Sequence, residues 1–362
     1  MGTDYQKQKP VFKIKLKTVI PLVVVGIAII ILFFKVASIE KGVNALKALS
    51  VWFVFLALIA QVCSYLGSGY LLKMIMYRTR SQLTIARGAL ITMAAASIGL
   101  LAGGWFSSAA ATYYWVSRNN ENPGQAALTG VLPPLYNSII LTIVTIIGML
   151  YMLFNRSLSL AQIWLYGLVL VIIIIITLLM LYGLIRRRKV ENLALFIIKK
   201  VTHLLKRDFD PIIIRNRMDD FYDALKLLTR HNLLKLSLGS FINIFFDMMT
   251  LFFFFKSAGY LITPSILIAG YGIAFLLARG AFFIPGGIGV IEAGMVAIYT
   301  SLGVPGGISL VSVLGYRLVS FWIPILLGFV AMIYLKKTSK KPRKPKRHLY
   351  RNMKTQLQDF LR

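Results

Sequence analysis

The sequence predicts an all-α polytopic membrane protein, an inverted repeat of span, re-entrant hairpin and span, with about six full spans plus two broken hairpins. Three observations carry this. First, the 362-residue chain is 58% hydrophobic; with Gly counted and Tyr left out the share is about 61%, against ~45–50% in soluble domains. Second, 41 Lys and Arg against 12 Asp and Glu leave a net charge of +29, and the basic residues are sorted between the apolar runs. Third, two apolar runs are broken by glycine at positions 183 residues apart.

The runs long enough to cross ~30 Å of hydrocarbon are 18–37, 50–72, 126–153, 158–185, 233–256 and 306–335. The first lacks a small-residue cleavage site and reads as a retained span. Basic residues set the orientation. Lys7, Lys9, Lys13, Lys15 and Lys17 precede the first span. Thirteen Lys and Arg lie in 186–235 and eleven after 335, while Lys73, Arg78, Arg80 and Arg87 mark the turn at 73–87. All four segments are expected inside, with both termini cytoplasmic and the protein in the cell membrane. The expected organisation is a basic tail over 1–17, one membrane domain over 18–335, and a second basic tail over 336–362. The charge is thus a topology signal and a contact with the anionic inner leaflet. It is not a nucleic-acid footprint.

The remaining runs, 83–117 and 264–303, then enter and leave on the same side. Each is interrupted, by Gly103-Gly104 in one and by Pro285-Gly286-Gly287-Ile288-Gly289 in the other. Both read as hairpins, since irregular backbone at membrane depth is tolerated only where protein or water covers it. Adding 183 to 50 gives 233, where a later span begins, and adding it to 126 gives 309, inside the last span. The segments 50–153 and 233–335 therefore read as two copies of opposite orientation, with a site between them. Pro133-Pro134 lies inside the 126–153 run and is expected to kink or break it, with an unwound wall opposite Arg317 as one outcome. Between the copies, 186–230 is a cytoplasmic segment. Its stretch 190–207 reads as a basic amphipathic helix on the inner leaflet, and Met218, Phe221, Tyr222, Leu225 and Leu228 mark one face of a second helix.

Four charges fall within apolar runs: Asp247, Arg279, Glu292 and Arg317. Ionisable groups at such depth are rare and face the bundle interior. Glu292 falls in the first turn after the glycine break, where exposed helix amides favour a carboxylate or a lipid phosphate. The two arginines either pair with Glu292 or hold an anionic head group. Asp247, Arg279, Glu292 and Arg317, with Gly286, Gly287 and Gly289 at the break, form the candidate substrate site. No metal or cofactor motif is present. Cys63, the lone cysteine, excludes an intrachain disulfide.

The block Phe283-Ile284-Pro285-Gly286-Gly287-Ile288-Gly289-Val290-Ile291-Glu292-Ala293-Gly294 resembles the flippase-like transmembrane region of lysylphosphatidylglycerol synthase. Tyr316-Arg317, Ser320-Phe321-Trp322 and the Gln61-Val62-Cys63-Ser64-Tyr65-Leu66 stretch fit the same resemblance, which covers about 15–335. It implies movement of a lipid or lipid-linked substrate: an anionic or aminoacylated phospholipid, or a polyprenyl-phosphate-linked molecule. The aminoacyltransferase domain of full-length members has no counterpart here, so their synthase activity is not carried over. Many members place Pro-Gly and a Glu in the first hairpin, where this chain has Gly103-Gly104-Trp105-Phe106-Ser107-Ser108-Ala109 and no acid. The runner-up reading is a non-transporting scaffold for a separate aminoacyl- or glycosyltransferase. A membrane enzyme with Glu292 as base is the weakest, since no second catalytic group stands near it in sequence. The expected partners are membrane lipids, a separate transferase and a second copy of the chain.

Overall fold

The structure, a computed structural model, describes residues 49–77, 83–102, 104–118, 123–155, 160–187, 189, 191–192, 218–226, 233–280 and 287–338. The expected basic tail over 1–17, the expected span 18–37, the amphipathic stretch 190–207 except 191–192, and the second tail except 336–338 lie outside them. Among the described residues the chain is helical and contains no strand.

The 50–72 run forms α1 (Val51–Ile75). The first broken run forms α2 (Ile85–Ala102) and α3 (Trp105–Ser117). Next come α4 (Pro123–Asn155) and α5 (Leu160–Ile185). The second half runs α6 (Leu233–Ser257), α7 (Pro264–Gly280), α8 (Val290–Ser301), α9 (Gly306–Arg317) and α10 (Ile323–Thr338). A π-helical segment, Leu318–Trp322, joins the last two into one long rod. Val51–Ile75, Gly124–Met152, Leu233–Ser257 and Gly306–Thr338 are each long and apolar enough to cross a membrane.

Helix α1 shows why these rods belong in lipid. Its large apolar side chains Phe55, Leu58, Ile59, Val62 and Leu66 point outward, exposed. Its small and polar residues Ala57, Ala60, Gln61, Ser64, Gly67 and Gly69 point inward, buried. A soluble helix places its apolar stripe on the core. In lipid the tails are as apolar as leucine, so small residues that let backbones approach hold helices together. A Cβ on Gly69 would lie 2.2 Å from Ile85 O, and one on Gly67 would lie 2.6 Å from Asn243 N. The absence of side chains at these two positions sets how closely α1 meets α2 and α6.

Helices α1 and α6 pack along their length, and their far ends are tied where Ser50 N–H donates to Ser257 O at 3.1 Å. Helix α2 packs on α10, and α7 packs on α4. Within each broken run the two arms also lie side by side. Tyr299 on α8 donates to Leu267 O on α7 at 3.0 Å, and its ring fills the space a side chain at Gly270 would take. The second arms have 13 and 12 residues. They rise ~20 Å and ~18 Å, short of the ~30 Å core.

The ends expected inside gather at one end of the bundle. Leu72, Met76, Leu83, Trp115, Ala126, Ala224, Leu236 and Leu335 share one apolar cluster. At the other end Met152, Phe255, Ile262, Leu302 and Val304 share another. The short helix at 218–226 docks on the first end, with Asp220 O pressed against Gly124 and Arg187 paired to Asp219.

One expectation is corrected. Helix α4 runs on through Pro133 and Pro134 as a single element, so no unwound wall forms there. The prolines remove two backbone donors, but the stretch is covered by protein. Ala109 O sits 2.8 Å from where a Cβ on Gly130 would be. The hydroxyls of Ser138, Thr142 and Thr145 bond back to carbonyls four residues earlier, which pairs these side chains within the helix.

Candidate functional site

Helix α8 starts where the glycine break ends. Gly287 and Gly289 take φ of +61° and +82°, a left-handed region that disfavours any side chain. Gly289 caps the helix, which puts Glu292 at its third residue. From there the carboxylate reaches back, and Gly289 N–H donates to Glu292 Oε2 at 2.8 Å. This is one half of a capping box, and it places the negative charge at the positive end of the helix.

The other carboxylate oxygen is taken by the next rod. Arg317, the last residue of α9, donates from Nε to Glu292 Oε1 at 2.7 Å. Both residues are buried, at 6% and 3% exposure. The guanidinium also lies over the Phe321 ring, 4.1 Å from its centroid. The π-helical segment begins at the very next residue, Leu318. Such segments are rare in α-helices and occur often at functional sites.

Asp247, in α6, lies apart from this pair and is only partly buried. Its Oδ2 accepts the Tyr316 hydroxyl at 2.5 Å and the Tyr271 hydroxyl at 2.6 Å. Gln61 from α1 lies beside the same carboxyl group. Tyr65, one turn along α1, donates to Ser320 O in the π-helical segment at 3.4 Å. One turn before Asp247, Asn243 donates to Ser64 Oγ at 2.9 Å and to Ser64 O at 3.1 Å. Asn137 of α4 donates to Asn243 Oδ1 at 3.3 Å. A polar seam thus runs through the middle of an apolar bundle, from Asn137 through Asn243 and Asp247 to Tyr316, Arg317 and Glu292.

Of the residues singled out in the sequence, Glu292 and Arg317 are in direct contact, and Asp247 joins them through Tyr316. Gly287 and Gly289 shape the turn that delivers Glu292. Arg279 is in the last turn of α7, with its side chain outside the described residues, as is Gly286. Sequence reasoning passed over Tyr271, Asn243 and Asn137, and gave Gln61, Ser64 and Tyr65 no role. Spacing held a signal for several of them. Asn243 and Asp247 are four apart, and Gln61, Ser64 and Tyr65 fall at i, i+3 and i+4, each set on one face of an otherwise apolar helix.

The arrangement offers a buried guanidinium paired to a carboxylate, beside a second carboxyl that accepts from two tyrosine hydroxyls. An anion that displaces Glu292 would gain Arg317, while Glu292 would keep its bond to the helix amide. Comparison with known proteins gives this geometry its context. The model of the family described as lysylphosphatidylglycerol synthase TM region matches residues 19–328. A UPF0104 membrane protein of Methanocaldococcus jannaschii is 24% identical over 153 residues, which are 41% of this chain and 44% of that protein. The match thus spans less than half the length of that relative.

Proposed function

The chain belongs to the family of the lysylphosphatidylglycerol synthase TM region, and from that premise we propose that it moves lipids or lipid-linked substrates across the bilayer. The observation that carries this reading is the buried Glu292–Arg317 pair at the tip of a broken helix, inside a bundle whose outer surface is apolar. Charged groups within a membrane are expensive and mark substrate paths by default. The substrate head group is a phosphate or phosphodiester. It exchanges with Glu292 for the Arg317 guanidinium, whose planar fork matches phosphate oxygens. Acyl or polyprenyl chains stay in the lipid outside.

The reciprocal packing supports an inverted repeat as the moving frame. The first helices of the two halves pair with each other. The first hairpin arm of each half packs on the last rod of the other. Such halves rock against each other around a site held between them. Second arms too short to cross support re-entrant hairpins, whose breaks fall at membrane depth.

The test is transport by purified protein in vesicles that carry labelled anionic, lysyl-modified or polyprenyl-phosphate lipids. Wild type is expected to move at least one class between leaflets, and Glu292→Ala and Arg317→Ala to slow it. Vesicles in which wild type moves none of the three refute the proposal. Movement unaffected by both substitutions removes the pair from the path.

A further inference from the structure

Two carboxyl groups lie in the polar seam, and their settings differ. Glu292 is buried, salt-bridged to Arg317 and bonded to a helix amide. Asp247 is partly buried and accepts hydrogen bonds from two neutral groups, the Tyr271 and Tyr316 hydroxyls, with the Gln61 amide beside it. Gln61 is 5% exposed, and its Oε1 has no hydrogen-bond partner among the described residues. A buried acceptor without a donor is costly. Here it lies on the side chain next to Asp247.

The two ends of a glutamine amide are nearly the same shape, one donating and the other accepting. In one orientation the NH2 group of Gln61 can donate to an ionised Asp247. Turned over, its Oε1 accepts the O–H of a protonated Asp247. One amide rotation therefore satisfies the carboxyl group in either state, and the tyrosine hydroxyls can donate to its other oxygen throughout.

We infer that Asp247 is a proton-binding site, loaded and unloaded during the transport cycle, which makes lipid movement proton-coupled. In the loading step the carboxylate takes a proton from hydronium, one O–H bond forms as another breaks, and water leaves. No other bond changes. The coupling rests on the translocator reading, whereas the proton site stands on its own geometry.

The groups that face Asp247 can be named element by element. Helix α1 presents Gln61 and Tyr65, α7 presents Tyr271, and α9 presents Tyr316 and Arg317. Helix α4 presents the uncharged Asn137 to Asn243, one turn away, and α8 presents Glu292 behind Arg317. Glu292, the other carboxylate here, stays bound to Arg317. Tyr316 and Arg317 are adjacent residues at the start of the π-helical segment. Neutralising Asp247 weakens its hold on Tyr316 through the loss of a charge-assisted bond, and so frees the rod end that carries Arg317.

Difference infrared spectroscopy on wild type in vesicles, between acid and neutral pH, tests the site directly. A carboxylic C=O band is expected at acid pH. Asp247→Asn should remove it and Glu292→Gln should keep it. Gln61→Leu, which leaves Asp247 in place, should move the band to higher frequency as the acceptor is lost. A wild-type spectrum without any band that Asp247→Asn removes overturns the proposal, whatever the transport assay shows.

The coupling is tested with an imposed pH gradient. For one proton per lipid, each pH unit should shift the steady-state leaflet ratio by about tenfold. Asp247→Asn should abolish that response. Lipid movement by wild type that ignores the gradient overturns coupling and leaves the translocator reading standing. A titrating band with no lipid movement does the reverse.

Discussion

Removing Arg317 while keeping Glu292 is the sharpest test of the pair. In Arg317→Met the neighbouring carboxylate remains at 6% exposure, held by one amide N–H. An uncompensated buried charge left by removal of its partner destabilises by about 3–5 kcal/mol. That is a factor of roughly 10² to 10³ or more in the folded-to-unfolded ratio. Glu292→Gln takes the paired carboxylate away from a guanidinium at 3% exposure that keeps the Phe321 face, and should cost a similar amount. The double variant Glu292→Gln/Arg317→Met buries no unpaired charge at the pair, since glutamine can still accept from Gly289 N–H. It should lie within about 1–2 kcal/mol of wild type, which gives a coupling energy well above the ~0.5 kcal/mol expected of independent sites. Equilibrium unfolding in mixed micelles measures all four proteins. Additive single losses, or an Arg317→Met protein within about 1 kcal/mol of wild type, would refute the claim that the two charges depend on each other.

Other predictions follow from the same geometry. In α8, Gly289→Ala should destabilise by about 1–2 kcal/mol, because φ of +82° disfavours a Cβ even in open space. Gly294→Ala in the same helix, also with open space at its Cβ site, should be neutral or stabilise by up to about 1 kcal/mol; thermal melts compare their signs. Gly69→Ala should cost about 1–3 kcal/mol, since its Cβ would strike Ile85 O and Ala89 N, backbone atoms that cannot swing aside. Disruption of the half-exposed Arg187–Asp219 pair by Arg187→Ala should change stability by less than about 1 kcal/mol. Single cysteines at Tyr77 and Leu261, both exposed and at opposite ends of the bundle, should label from opposite sides of the membrane in a Cys63→Ala background.

Hydropathy and charge made the rods legible, because lipid imposes length and composition on any helix that crosses it. The breaks were legible too: Gly103-Gly104 and the Pro-Gly-Gly block separate arms close to those observed. Glu292 in a first turn followed from its distance beyond Gly289. What the sequence did not disclose is which polar group meets which. Arg317 could pair with Glu292 or Asp247 on charge alone, and the fold gives it Glu292 because α8 and α9 pack together. Tyr271 drew no notice in the sequence and Tyr316 only as part of the family resemblance, yet they are donors to Asp247. Pro133-Pro134 looked like a break, and neighbouring helices cover it instead.

The sequence by itself determined a membrane protein of several apolar helices, with its basic residues clustered between and beyond the apolar runs and four charges left within them. Those are local properties, set by the transfer of each segment from water to lipid. Only the tertiary structure decided that α1 and α6 lie face to face and that the buried charges and hydroxyls join in one seam. Inside lipid the apolar side chains have no preference among partners. Close backbone approach at Gly67 and Gly69, together with the need to satisfy each buried polar group, selects the pairing, and for α1 and α6 the polar partners Ser64 and Asn243 stand 179 positions apart.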